Sequence, residues 1–124
     1  MKKVGQISIW LIISSIMMIG ISCKKTEYVD KPAELKIVVT DIAGLPVSGA
    51  SINLFDDGEN FLSDTNAVKS GSTDENGVIV FQDLDESLYY FRAEKDGKTN
   101  EGFPSASSNP LKIGTITIIE TKIN

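Results

Sequence analysis

Histidine is absent from this sequence of 124 residues, and cysteine and tryptophan each occur once. Without histidine, the chain lacks the side chain that most often serves as a general base near neutral pH and that most often ligates metals. The single cysteine, Cys23, excludes any disulfide within the chain. The protein must therefore rely on its hydrophobic core for stability.

Positive charge is also scarce. Twelve basic residues stand against 17 acidic ones, which gives a formal net charge of −5, and no long run of either sign occurs. A mildly acidic surface repels nucleic acid phosphates, so the composition argues against nucleic acid as a partner. No residue pattern suggests a cofactor, and we expect none.

The first 22 residues have the composition of an export signal. Lys2 and Lys3 form a basic start, and an apolar stretch of about 15 residues runs from Ile7 to Ile21. This stretch is shorter than the ~20 residues that a transmembrane helix needs. A basic start, an apolar centre and small residues at the exit are typical of a cleaved, helical signal peptide.

The end of this segment resembles the lipobox of bacterial lipoproteins. It reads Gly20-Ile21-Ser22-Cys23, with glycine where leucine is usual. The resemblance implies cleavage before Cys23 and acylation of that residue with palmitate-type chains, and two or three chains anchor a protein stably in a membrane. A plain secretory signal with an incidental cysteine, or an uncleaved anchor helix, are the alternatives.

The residue after the lipidated cysteine bears on location. In Gram-negative lipoproteins an aspartate there favours retention at the inner membrane, and here the residue is Lys24. The resemblance therefore implies a lipid-anchored protein of the cell envelope, at the outer membrane rather than the inner one. Whether it faces the periplasm or the cell surface stays open.

Three segments follow from these observations. Residues 1–22 are the signal peptide, residues 23–33 are the lipidated cysteine and a flexible polar tether, and residues 34–124 are one all-β domain. In that domain, turn signals recur about every 8–12 residues between short β-rich runs, which is typical of a sandwich or barrel. No helical period is apparent. Residues 59–72 are ambiguous, with one or two short strands expected around Phe61 and Val68.

Alternation of apolar and other residues predicts which side chains face the core. The expected inward residues of three strands are Leu35, Ile37 and Val39, then Ala50, Ile52 and Leu54, then Tyr89, Phe91 and Ala93. Asn76-Gly77 and Asp96-Gly97 predict hairpin turns, because both residue types accept positive φ. The last strand is expected over residues 111–119.

Part of this pattern resembles the carboxypeptidase regulatory-like domains, which are transthyretin-like (prealbumin-like) β-sandwiches close to the B-type repeats of collagen-binding adhesins. The matching residues are Leu35-x-Ile37-x-Val39-x-Asp41-x-x-Gly44-x-Pro46-Val47-x-Gly49-Ala50-x-Ile52, then Thr73-Asp74-x-Asn76-Gly77-x-x-x-Phe81-x-x-Leu84, and Tyr89. The resemblance covers most of residues 34–95, with Ser87 where the family usually has glycine. It implies a single seven-stranded Greek-key β-sandwich, of the kind that serves mostly in adhesion, stalk, plug or carbohydrate-associated modules.

Within that motif the residues have structural roles. Gly44-Leu45-Pro46 is expected to turn a first hairpin, and Gly49 with Ala50 to keep the second strand slim where the sheets approach. Ile79, Phe81, Leu84 and Tyr89 are expected to fill the core. A signature of this kind specifies a fold and leaves function open.

No set of residues predicts catalysis. Enzymes known on this fold depend on histidines, which this chain lacks. Paired carboxylates can hydrolyse glycosides, but the pairs Asp56-Asp57, Asp74-Glu75 and Asp85-Glu86 all fall in predicted turns, where acidic residues are usually solvated. We therefore expect no enzyme.

A calcium loop is the metal-binding alternative. Oxygen ligands could fall at Ser72, Asp74, Asn76 and Asp83, with Gly77 at the sharp turn. However, Ser72 replaces the usual first aspartate and Asp83 the usual bidentate glutamate. The hairpin explains Asn76-Gly77 by itself, so we expect no metal.

One predicted feature points to an interface. If Ile79, Phe81, Tyr89 and Phe91 face inward, their neighbours face outward, and two paired strands would then present an apolar patch. The residues of this patch are Val78, Val80, Leu88 and Tyr90, with Arg92 at its end and Phe103 in the following loop. Alternatively, loop 98–110 covers the patch. Tyr90 and Phe103 are the aromatic candidates for a carbohydrate site.

The sequence thus predicts a membrane-anchored, non-catalytic β-sandwich module for binding or assembly in the cell envelope, with a protein or carbohydrate ligand. The alternative is a purely structural spacer or an accessory subunit of an envelope complex.

Overall fold

Seven short strands and one helix form the regular structure of residues 31–124, the part of the chain that the computed structural model describes. The elements are β1 (Ala33–Thr40), β2 (Ser51–Phe55), α1 (Gly58–Ser63), β3 (Lys69–Ser72), β4 (Val78–Leu84), β5 (Tyr90–Lys95), β6 (Lys98–Thr99) and β7 (Ile116–Lys122). The predicted signal peptide, Cys23 and residues 24–30 of the predicted tether lie outside the described residues. None of the helices among residues 31–124 has the length and apolar character to span a membrane.

The seven strands form two sheets, of order β4-β1-β7 and β3-β2-β5-β6. The prediction of an all-β sandwich with seven strands is confirmed. β1 lies between β4, which is antiparallel to it, and β7, which is parallel to it. β1 begins at Ala33, which is fully buried, so the sandwich starts one residue before the expected boundary.

The core lies between the two sheets and contains the residues that alternation predicted. Leu35, Ile37 and Val39 of β1 are fully buried, and so are Ile52 and Leu54 of β2. The other members are Ala33, Ala50, Phe81, Leu84, Tyr89, Phe91, Ala93, Leu111 and Ile123, with Val47, Ile79 and Ile119 packed against them. Period-two alternation therefore identified the core face correctly.

Two turns that were predicted as hairpins do reverse the chain locally, since Thr40 forms an antiparallel bridge with Pro46 and the N–H of Asp74 donates to the carbonyl of Val78 at 3.0 Å. The strands that flank each turn nevertheless join different sheets. Asp74 to Gly77 leads from β3 to β4, and the N–H of Gly77 donates to the carbonyl of Asp74 at 2.9 Å. Gly44 to Pro46 likewise leads out of β1 towards the other sheet. Gly77 and Gly44 do adopt the expected positive φ, at 75° and 87°. A turn signal fixes the local backbone but does not reveal which sheet the next strand joins.

The remaining turn glycines differ in their roles. Asp96 and Gly97 form the predicted hairpin between β5 and β6, with φ of 51° and 79°. Gly49 was expected to save space, but a Cβ there would meet only the Lys95 Nζ at 3.5 Å, an ordinary contact. Its φ of 73° is the feature that requires glycine.

The strand expected around Phe61 is a helix. Asp57 caps the first turn of α1 by accepting a hydrogen bond from the Asn60 N–H at 3.3 Å, and Asp64 ends the helix with a left-handed φ of 55°. Six residues are too few to show a helical period, so the pattern could not reveal α1. The second expected strand exists as β3, which begins just after Val68.

The last strand is β7, which begins and ends later than predicted. Leu111 is buried, but it lies in a loop, where its N–H donates to the carbonyl of Ser87 at 3.0 Å. A turn closed by a Thr115 N–H donated to Lys112 follows, with Gly114 at a φ of 78°. This turn separates Leu111 from the strand.

Candidate interaction surface

The predicted apolar patch does not form as one surface. Val78 and Val80 lie on β4 in the three-stranded sheet, whereas Tyr90 and Arg92 lie on β5 in the other sheet, with Leu88 just before it. The patch depended on β4 pairing with β5, and this condition is not met because the connection between them crosses from one sheet to the other. The outward residues of β4 and β5 therefore lie on opposite faces of the sandwich.

On the four-stranded side, α1 covers much of the predicted patch. The Phe61 ring stacks on Tyr90 with centroids 5.5 Å apart, and it meets Phe55 edge-on at 5.8 Å. The Arg92 guanidinium lies 4.7 Å from the centre of the Phe61 ring and donates to the Phe61 carbonyl at 2.6 Å. Phe55 is fully buried although it is not part of the main core. These side chains form a second, smaller core, so they are structural rather than free for a ligand.

Arg92 also approaches an acidic residue at the end of α1. Its Nε lies 3.7 Å from the Asp64 Oδ1 and has no hydrogen-bond partner although it is buried. An ion pair this long and half-exposed contributes little to stability. The contact with Phe61 accounts for the position of Arg92 better than its charge does.

The opposite side of the sandwich is open and apolar. Val80 is 43% exposed, Ile116 is 58% exposed and Ile118 is 60% exposed. The register places Lys36 of β1 between Val80 on one side and Ile118 on the other. We call this surface the β4–β1–β7 face, and its apolar residues are Val38, Val78, Val80, Ile116 and Ile118.

Ile116 and Ile118 were not among the residues predicted to form the interface. The run from Ile116 to Glu120 places isoleucine on both faces of the strand, so its parity is hard to read. The signal that could have found them is the short alternation Ile116-Thr117-Ile118. It assigns the two isoleucines to one face and the threonine to the other.

Phe103 lies apart from both faces. With Pro104 it borders a groove of about 420 Å³, whose other walls come from Thr40, Gly44 and residues 120–122 of β7. The Thr121 hydroxyl donates to the Pro104 carbonyl at 2.6 Å, which ties this segment to β7. Phe103 is half-buried, so it offers a ligand only part of its ring.

Residues 100–110 extend the edge of β5 rather than lie over its outward side chains. The N–H of Phe91 donates to the Ser105 carbonyl at 2.7 Å, and the N–H of Ser107 donates to the Tyr89 carbonyl at 2.8 Å. Buried Asn100 completes this edge, because its Oδ1 accepts the N–H of Ala93 at 3.0 Å. The loop therefore continues the sheet along the edge of β5.

The residues of the metal-binding alternative are not brought together. Oδ1 of Asp74 accepts the backbone N–H groups of Asn76 at 2.8 Å and Val78 at 3.0 Å, which is the geometry of a turn. Asp83 lies near the far end of β4. Among residues 31–124 no group of three cysteine, aspartate or glutamate side chains could hold a metal ion.

The phenol of Tyr89 has a clearly shifted pKa. Burial raises the pKa of its phenol above the ordinary value, and the carboxylates of Asp85 and Asp56 raise it further, while the N–H of Asp85, donated to the phenol oxygen at 3.1 Å, lowers it in part. The side chain belongs to the core cluster. Its role is therefore structural.

Solved structures with the same fold differ strongly in sequence. The TIE protein of Bacillus anthracis matches with a TM-score of 0.53 and 20% identity, over 74% of this chain and 16% of that one. A variant of BcpA, the major pilin subunit of Bacillus cereus, matches with a TM-score of 0.50 and 23% identity, over 73% of this chain and 28% of the pilin. This chain therefore spans less than a third of either protein. No family model and no curated protein matches it. At these identities the likeness is one of fold: the chain forms a β-sandwich of the type found in these pilin and TIE proteins.

Proposed function

We propose that the protein is a lipid-anchored, non-catalytic β-sandwich module that acts in binding or assembly at the cell envelope, through the β4–β1–β7 face. The observation that carries this proposal is the exposure of Val80, Ile116 and Ile118 on one side of the sandwich. Ile116 and Ile118 are neighbours on one strand, and Val80 lies across Lys36 from Ile118; exposed apolar residues gathered on one face often mark interaction sites. On the opposite side, α1 covers apolar side chains of the four-stranded sheet, so the β4–β1–β7 face is the one with uncovered apolar residues.

Two further observations support an assembly role. The fold is shared with a pilin subunit, and the sequence resembles the carboxypeptidase regulatory-like domains, which mostly serve as non-catalytic modules. The ionisable residue with a clearly raised pKa, Tyr89, lies in the core. This combination favours recognition of a protein over chemistry on a substrate.

The anchor in this proposal is Cys23. The resemblance of Gly20 to Cys23 to a lipobox supports its acylation, and Lys24 supports the outer membrane over the inner one. Seven residues separate Cys23 from Lys31, where the described part begins, and this length spans at most about 30 Å when extended. The first residue of the domain would thus stay within about 30 Å of the bilayer surface.

Metabolic labelling tests the anchor. Cells that express wild type or Cys23→Ala receive a palmitate analogue, and their membranes are then separated from soluble protein. We expect label and membrane association for wild type and no label for the variant. An unlabelled, soluble wild type would refute the anchor and leave a free secreted module.

Site-specific photo-crosslinking tests the surface. A photoreactive residue replaces Val80, on the β4–β1–β7 face, and in a matched chain it replaces Leu62, which is 79% exposed on α1. We expect one discrete crosslinked product from position 80 and none from position 62. Equal patterns from both positions would favour the second candidate, a structural spacer without a dedicated interface.

A carbohydrate ligand is less well supported by the geometry. Tyr90 stacks on Phe61, so its face is occupied, and Phe103 is half-buried. If immobilised glycan retained the wild-type protein but not Phe103→Ala, the groove beside β7 would be established as a sugar site. We expect that immobilised glycan does not retain the wild-type protein.

A further inference from the structure

The two edges of β7 differ in their hydrogen bonding. On one side β7 pairs in parallel with β1, residue by residue from Glu34 with Ile116 to Thr40 with Lys122. The N–H of Glu34 donates to the Thr115 carbonyl at 3.0 Å, which shows that the odd-numbered residues of β7 turn their backbone groups towards β1. Alternate residues of a strand point their peptide groups to opposite sides. The even-numbered residues Ile116, Ile118 and Glu120 therefore direct their N–H and C=O groups away from β1.

This outward edge is unpaired within the part of the chain that the structure describes. In the described residues, β1 is the strand that pairs with β7, and outside that ladder no backbone hydrogen bond involves Ile116, Ile118 or Glu120. The edge also lacks proline, and its two isoleucines are more than half exposed. Exposed edge strands are usually protected by proline, charged side chains, bulges or a covering element, because they are templates for pairing with another chain. Glu120 and Lys122 protect the end of β7 in this way, whereas Ile116 and Ile118 at its start have no such protection.

We propose that the free edge of β7 pairs with β7 of a second copy of this chain, antiparallel and with Thr117 on the two-fold axis. Two three-stranded sheets would then join into one sheet of six strands. This inference deepens the proposed function, since it rests on the use of the β4–β1–β7 face and names its partner.

The register follows from matching like with like. With Thr117 opposite itself, Ile116 lies opposite the second copy's Ile118, and Ile118 opposite the second copy's Ile116. The pairs thus exchange four backbone hydrogen bonds and bring four isoleucines together on the outer face. A shift of the axis to Ile118 would place Ile116 opposite a glutamate, Glu120, and lose this match. Hydrophobic pattern is what sets register in a sheet with one apolar face.

Charge agrees with this arrangement. On the outer face, Ile118 is flanked by Lys36 of β1, and Ile116 is flanked by Glu34. Each row that crosses the junction therefore has Lys36 at one end and the second copy's Glu34 at the other. These groups are about three strand spacings apart, roughly 14 Å, which exceeds the Debye length at physiological salt, so they form no ion pair and do not oppose the register.

The expected association is weak. A single pair of edge strands is smaller than the roughly 1,200 Å² of a stable interface, and each copy carries a net charge of −5. A covalent trap is therefore the appropriate measurement. Directly opposed residues of a non-hydrogen-bonded pair have Cα atoms about 4.5 Å apart, which is within the range of a disulfide.

The test places one thiol on the proposed axis. Thr117→Cys and, as a matched control, Leu62→Cys are made in full-length chains that carry Cys23→Ala, purified in detergent and oxidised. We expect covalent dimer from Thr117→Cys at least tenfold faster than from Leu62→Cys, although Leu62 is the more exposed. Adding Ile118→Lys should abolish the difference, whereas adding Leu62→Lys to Thr117→Cys should not.

Equal rates for the two thiols would overturn the proposal, and so would linkage at Thr117 that survives Ile118→Lys. Equal rates are expected if residues 24–30 of the same chain occupy the edge instead, whereas linkage that survives Ile118→Lys would mean that the isoleucine register does not bring the two copies together. If Thr117 fails to link while the crosslinker at Val80 still gives one discrete product, the second copy is excluded as occupant and the proposed function stands.

Discussion

Thr73 shows how much one buried hydroxyl can hold together. Its Oγ1 accepts the N–H of Ala50 at 2.9 Å and donates to the carbonyl of Val47 at 2.6 Å. The threonine precedes β4, while both of its partners precede β2, so this side chain links two crossovers between the sheets. The sequence marked Thr73 as part of a motif but gave no reason for it.

We predict that Thr73→Val lowers the free energy of unfolding by about 2–4 kcal/mol. Valine keeps the shape, but it leaves the buried N–H of Ala50 and the partly buried C=O of Val47 without their hydroxyl partner, and each lost partner costs about 1–3 kcal/mol when buried. Urea unfolding followed by circular dichroism measures the change. Thr117→Val is the control, because no hydrogen bond from its hydroxyl is lost, and it should change stability by less than about 0.5 kcal/mol.

Tyr89 predicts a dependence of stability on alkaline pH. Burial raises its folded-state pKa, so its contribution is complete below the unfolded pKa of about 10 and is lost as pH rises through the folded pKa. Tyr89→Phe should cost about 1 kcal/mol at pH 8, because the N–H of Asp85 loses its acceptor. The variant should then lose less stability than wild type between pH 9 and 11.

Urea titrations at several pH values measure both parts of this prediction. Parallel decline of wild type and Tyr89→Phe above pH 10 would show that another group causes the alkaline loss.

At this scale the sequence predicted apolar residues well and polar ones poorly. Alternation identified Leu35, Ile37 and Val39 because burial of a face depends only on local parity. Buried Thr73 and Asn100 act on partners that are distant or on another strand, and nothing local signals such partners. Their roles therefore became visible only in three dimensions.

At the scale of elements, α1 protects one face of the sandwich through a single side chain. Phe61 covers Phe55 and stacks on Tyr90. We predict that Phe61→Ala lowers the free energy of unfolding by about 2 kcal/mol, since a half-buried phenylalanine contributes about that much. Leu62→Ala on the same helix should have almost no effect, because Leu62 is mostly exposed.

Limited proteolysis provides a second readout for α1. Cleavage within residues 58–66 should accelerate in Phe61→Ala and remain unchanged in Leu62→Ala. Acceleration in both variants would mean that the helix is held by its caps at Asp57 and Asp64 rather than by Phe61.

Sheet assignment was the element-level feature that the sequence could not supply. Strand positions near β1, β2, β4 and β5 were predicted, but the pairing of β4 with β5 on which the patch depended does not form. The same Asn-Gly chemistry serves a hairpin within a sheet and a corner between sheets, because both need only positive φ. This difference divided the predicted interface between two faces and hid the contribution of β7.

For the whole molecule, the pairing of the first and last strands makes folding depend on the complete chain. β7 supplies buried Thr121 and is followed by buried Ile123. We predict that a chain ending at Thr115 does not fold, because it exposes β1 and opens the core. Removing only Asn124 should be tolerated, since one backbone hydrogen bond to Thr99 is lost.

The far-ultraviolet circular dichroism spectrum and the urea transition distinguish these cases. A cooperative transition in the chain that ends at Thr115 would show that six strands suffice and that β7 is an accessory strand.

The parallel pairing of β1 with β7 also has a mechanical consequence. The two strands are in register over seven pairs, from Glu34 with Ile116 to Thr40 with Lys122. A pull on residue 31 against residue 124 would act along both strands in opposite directions, so the ladder would be loaded in shear. Its hydrogen bonds would then resist together instead of opening one after another. A domain that is anchored at residue 31 and pulled at residue 124 would therefore unfold only at high force.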